Sequence, residues 1–177
     1  MEDTINIFAI EGNNNQIDWV QSARSLDNYR VVKMILESCQ MLCTTLNVQH
    51  DEQVAPYKTV HKNHPSTKWT RASSANFMAL VKHTEAMLDE YTERFEKTHK
   101  CAGVLRGIME LYDPSLFPTD KPTPLPLCMP DEYKSDNIVE SYRNFYSDKP
   151  RMRYPVSKVP SWFMERRTTN FQLLLDK

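Results

Sequence analysis

The chain has 177 residues, 40% hydrophobic and 25% charged, with a formal net charge of −1 and a pI near 6.5. That length suits one globular domain with a sizeable core, and the balanced charge excludes a global basic field, so a nucleic-acid partner has to be met by a local patch. No run of about 18 apolar residues occurs and the start, MEDTINIFAIEG, is acidic, which predicts a protein without a membrane span or secretory signal, cytoplasmic in location.

In chain order, Thr4 to Ile10 alternates like a short strand or an extended arm, and Glu11 to Gln16 breaks it. Ile17 to Leu26 is expected as a short helix burying Trp19, Val20 and Ala23. A long helix follows from an N-cap at Asp27 or Asn28 to about Leu46, with Val31, Met34, Ile35, Ser38, Leu42 and Thr45 on one face. A loop and helix start, Tyr57 to Asn76, leads into a second long helix, from Ser73 or Ser74 to about His99, striped by Phe77, Leu80, Val81, Leu88, Tyr91 and Phe95. Helical pattern continues over 101–112. Prolines 114, 118, 122, 124, 126 and 130 then forbid a helix and predict a strap on the surface. Asp136 can cap a helix from Asn137 to about Tyr146, and an irregular tail, 147–177, ends in a short amphipathic stretch from Trp162 to Leu175. The fold class is mainly α: a single-domain helical bundle, residues 1–177, with a short N-terminal extended segment and a Pro-rich strap over 114–130.

Three glycines exclude a glycine-rich phosphate loop, and Cys39, Cys43, Cys101 and Cys128 form no CxxC pair and read as reduced thiols. The pattern calls for no cofactor and no metal. His61, His64, His99 and Cys101 contain no metalloprotease or paired-cysteine spacing.

The loop YKTVHKNHPSTKWTRASSAN, 57–76, carries the densest functional chemistry: rings that stack, amides that read polar edges and histidines that titrate near neutrality. Arg30, Lys33 and Glu37 share one side of the first long helix, and Asn76, His83, Glu90 and Arg94 recur along the second. Each stripe reads either as solvated helix surface or as the wall of a pocket between antiparallel helices. As a pocket it suits a nucleobase, a nucleotide or DNA. Asn28, Asn63, Asn76, Glu90, Arg94 and His99 would offer polar contacts, Tyr57 and Trp69 a stacking face, and Arg30, Arg71 and Lys100 a grip on phosphate. Residues 142–155 add a basic, aromatic segment with Tyr142 and Arg143, a second place for a stacked strand.

The strings NYRVVKMILESCQMLCTTL, YKTVHKNHPSTKWTRASSANF, EYTERFEKTHK, MPDEYKSDNIVESYRNFY and VPSWF together resemble an uncharacterised family of tailed phages and large DNA viruses, over about Thr4 to Phe163. That resemblance implies an infected host cell as the setting. More remotely, the N-terminal segment, the helix with a polar triplet and a glutamate seven residues on, the His-Pro loop and the second long helix are similar to the pyrimidine-dimer DNA glycosylases. Those small all-α enzymes flip a base, attack the sugar C1′ with the N-terminal α-amine and use a glutamate to stabilise the sugar cation. The resemblance implies Glu37 as the catalytic carboxylate and puts Arg30 where that family has histidine. As an enzyme on an N-glycosidic bond the chain would have His61 or His64 as proton donor. The alternative is a non-catalytic binder that sequesters a host signal nucleotide or inhibits a host protein, using the same pocket.

Overall fold

The computed structural model describes residues 5–14 and 16–167. Six helices set the architecture: α1 (Trp19–Arg24), α2 (Asn28–His50), α3 (Pro65–Ala72), α4 (Ser74–Phe95), α5 (Cys101–Leu111) and α6 (Ile138–Ser147). A two-residue hairpin joins β1 (Gly12–Asn13) to β2 (Gln16–Ile17) in antiparallel register, and a final helical stretch begins at residue 161. The protein is mainly α.

Polar side chains set the helix starts. Asp18, Asp27, Ser73 and Asn137 each accept a hydrogen bond from a backbone N–H in the first turn they precede, satisfying donors that a helix leaves open. For α6 the cap is therefore Asn137 rather than Asp136. α2 runs to His50 and stops where Asp51 turns left-handed (φ 52°), and α4 stops at Glu96 in the same way (φ 53°), short of His99.

α2 and α4 pack together at the centre, with α1 laid on α4 and α3 wedged beside both. The expected face of α2, Val31, Met34, Ile35, Ser38, Leu42 and Thr45, is buried throughout. On α4 the burial is concentrated on Phe77, Leu80, Val81 and Met87, while Leu88, Tyr91 and Phe95 are only half-buried.

The N-terminal segment is an extended arm from Ile5 to Ile10 without strand pairing. All six residues are buried, because the arm runs through the interior and both of its sides are covered. Phe8 sits edge-on to Tyr142 and Tyr146 of α6, at 6.4 and 5.0 Å between ring centres.

The Pro-rich strap, with short 3-10 turns at Pro114–Leu116 and Asp131–Tyr133 at its ends, is tied across α3, α4 and α6. Trp69 Nε1 donates to Thr123 O (2.9 Å), the Asn76 side chain bonds Thr123 twice, and Tyr142 OH donates to Pro126 O (2.6 Å). Prolines lack N–H donors, so these side chains of neighbouring helices do the hydrogen bonding that a strand partner would do.

A candidate active site around Glu37

The predicted polar residues do not converge on one pocket. The structure distributes them over three places along α2 and α4.

The first is centred on Glu37, in the middle of α2 and 7% exposed. Its Oε2 accepts from the backbone N–H of Asn6 at 3.2 Å, and its Oε1 lies 3.6 Å from Lys33 Nζ, one turn earlier. Asn6 turns its side chain the other way and donates to Cys128 O in the strap (2.8 Å). Cys128 Sγ is 3.4 Å from Ser66 Oγ, and the Ser66 N–H donates to His64 Nδ1 (3.1 Å). Arm, central helix, strap and the His-Pro loop therefore meet along one chain of contacts.

The loop reaches this place by running backwards beside α2. Asn47 receives the N–H groups of Val54 and Ala55 and donates to Tyr57 O, then Thr44 holds both the N–H and the C=O of Val60. Three residues of loop match three of helix, so His64 and Ser66 arrive at the level of the helix middle. Pro65 then opens α3, with His64 as its cap, a helix inside the stretch expected as loop. His61 is exposed in a left-handed backbone conformation (φ 49°), and Asn63 is exposed beside it.

His64 is held neutral more strongly than an ordinary histidine, because partial burial and the neighbouring His61 both lower its pKa. With Nδ1 accepting from an amide, its proton sits on Nε2. The imidazole can thus present an N–H donor while its other nitrogen fixes the ring.

The second place is a buried ionic knot. Glu90, 3% exposed, is bound by Arg94 Nε at 2.9 Å and by Lys158 Nζ at 3.0 Å. Arg94 also donates to Leu26 O, Arg24 O and the Asn28 side chain. Arg30 is 6% exposed and its guanidinium bonds Pro150 O (2.9 Å) and Asp27. These groups lock the α1–α2 corner to α4 and to the tail; burial with saturated partners is the physics of a tie rather than of a phosphate grip.

The third is a tryptophan corner. Trp69 and Trp19 lie 5.7 Å apart, and Asn76 Nδ2 donates to Trp69 O (2.8 Å), beside a cleft of about 280 Å³ lined by Trp19, Trp69, Thr123 and Pro124. His83 is fully buried nearby, its Nδ1–H donating to Trp19 O (2.8 Å), and burial pushes its pKa down to about 4.

The remaining predicted residues serve the frame. Tyr57 OH meets Cys101 Sγ at 3.4 Å, and His99 Nδ1 accepts from the Cys101 N–H (3.0 Å), opening α5 just after the exposed Lys100. Tyr142 is fully buried; Arg143 donates to Ile10 O and Glu11 (both 2.8 Å) and lies over the Trp162 ring. Arg71 donates to Lys62 O (2.7 Å). Asn6, Ser66 and Cys128 were missed as parts of the Glu37 site. Only Asn6 left a signal, an amide inside the apolar run TINIFAI.

Among the described residues no group of three or more His, Cys, Asp or Glu side chains can hold a metal ion, the cysteines are free thiols, and no helix is long and apolar enough to cross a membrane.

An all-α protein with a buried carboxylate between an amine and an N-terminal arm is the class of structure on the page. Residues 5–102, more than half of the chain, match the family model of pyrimidine dimer DNA glycosylases, and the chain belongs to that family. The matched span takes in the arm, α1 to α4 and the His-Pro loop, and so Glu37, Lys33, His64 and Ser66. No curated protein and no solved structure matches.

Proposed function

We propose that the protein cleaves the N-glycosidic bond of a base in DNA, with Glu37 as the carboxylate that stabilises positive charge at the sugar C1′. The family assignment supports DNA and glycosylase chemistry; the observation that carries the assignment of Glu37 is its position, a carboxylate buried in the central helix against the N-terminal arm, which Asn6 joins to the strap and, through Cys128, to the His-Pro loop. Heterolysis of the C1′–N bond sends the electron pair with the base and leaves an oxocarbenium-like sugar. A carboxylate set in a poorly solvated place stabilises that charge far better than water does. His64, neutral and with its proton on Nε2, offers a hydrogen bond to the leaving base, which takes its proton from water, and Lys33 Nζ stands 3.6 Å from the Glu37 carboxylate.

The test is base release from duplex DNA carrying pyrimidine dimers, by the native chain and by Glu37→Gln, with duplex affinity measured in parallel. Loss of release with affinity kept supports the reading. Absence of release by the native chain, with a nucleotide raising its melting temperature, supports instead a binder without turnover.

A further inference from the structure

From Gln53 to Thr84 the sequence has no aspartate or glutamate, yet it carries Lys58, Lys62, Lys68, Arg71 and Lys82. The rest of the chain holds 17 Lys and Arg against 23 Asp and Glu, so the positive charge missing from the bulk is concentrated here. Lys58, Lys62 and Lys68 are exposed, as are His61 and Asn63 between them.

Among the described residues, the segments packed against this string carry few carboxylates. The loop lies along α2, whose residues 38–50 include no Asp, Glu, Lys or Arg; the strap over 114–130 carries Asp120 next to Lys121 and no other charge, and α5, met through Pro56 and Tyr57, carries Arg106 and Glu110. Asp51 and Glu52 mark one end and Glu37 the other. Arg71 ties α3 back to the Lys62 carbonyl, which fixes the string on a short helix and its preceding turn.

From the level of Asn47 to that of Glu37 the string runs beside ten residues of helix, about 15 Å. That length spans several phosphates of one strand of a duplex, which are spaced about 3.4 Å apart along the axis. A row of exposed lysines with few carboxylates beside it, leading to a buried carboxylate, has the charge and the shape for a polyanionic rod.

We propose that Lys58, Lys62 and Lys68 form the surface that takes the phosphate backbone of double-stranded DNA, with Arg71 as a positioning residue, and that this surface delivers the duplex to the Glu37 site. The assignment rests on the glycosylase reading. It places the DNA on the loop face; the basic segment around Arg151 and Arg153 lies instead at the start of α2, where Arg153 O accepts from the Asn28 N–H.

The experiment is duplex binding by fluorescence anisotropy across a salt series, using the native chain, the triple variant Lys58→Gln/Lys62→Gln/Lys68→Gln, and a control of equal charge change, Lys97→Gln/Arg151→Gln/Arg153→Gln. Each phosphate contact adds about 0.9 to the slope of log affinity against log salt, so the loop variant should lower that slope by about 2 to 3 and the control should leave it unchanged. An unchanged slope for the loop variant, an equal fall in the control, or tighter binding of single strands than of duplex overturns the surface assignment while leaving the Glu37 chemistry standing. A native chain that binds no duplex overturns both.

Discussion

Glu37 and Glu90 invite comparison, because each is a buried glutamate on a long central helix with a cation one turn away. Glu90 is gripped by two cations at 2.9 and 3.0 Å, one from its own helix and one from the tail. Glu37 takes a backbone N–H of the N-terminal arm at 3.2 Å and has a lysine of its own helix at 3.6 Å among its contacts. A carboxylate gripped by close cations from two segments is placed to hold helices together. Glu37 is instead joined to the arm through the backbone, and the N-glycosidic chemistry proposed for it rests on that place in the fold.

The comparison can be broken by paired substitutions. Glu37→Gln should reduce base release by at least about a hundredfold, the scale of losing one preorganised electrostatic group, with the thermal midpoint little changed. Glu90→Gln should do the reverse. Leaving Arg94 and Lys158 without their buried carboxylate should cost about 3 to 5 kcal/mol in a denaturant titration, while the protein that remains folded still releases base. If the two variants behaved alike, the division between a working and a structural carboxylate would fail.

A smaller effect concerns His83. Its pKa is about 4 in the fold against 6.5 unfolded, so the unfolded chain binds the extra proton and folding is favoured at higher pH. The contribution is present in full above pH 6.5 and is lost as pH falls towards 4, amounting to about 3 kcal/mol. Urea midpoints over that window should fall for the native chain and flatten for His83→Gln. Smaller still is Asn76→Ala, which removes the side-chain bonds to Trp69 O and to Thr123. The expected loss is about 1 to 3 kcal/mol, read by chemical denaturation, with base release by the folded protein intact.

Helix positions were legible in the sequence because capping residues and apolar spacing are local: Asp27, Ser73 and the α2 face stand where the pattern placed them. α3 was hidden because its signals, Pro65 after a histidine cap and Trp69 turned inward, sit within a stretch whose polar residues read as loop. The resemblance to the glycosylases, carried by the arm, the Glu37 helix and the His-Pro loop, agrees with the family match over residues 5–102. The pocket uniting Arg30, Asn76, Glu90 and Arg94 with Glu37 was not there to be found. Helical spacing tells which residues share a side of one cylinder, and the partners that use them up, Pro150, Thr123 and Lys158, arrive from segments distant in sequence.

The most direct measurement is base release from a pyrimidine-dimer duplex by native protein and Glu37→Gln side by side, with anisotropy on the same duplex. The expected result is release by the native chain, none above background by the variant, and affinities within a few-fold of each other. Release that persists in Glu37→Gln, or a native chain that binds the duplex and frees no base, would contradict it.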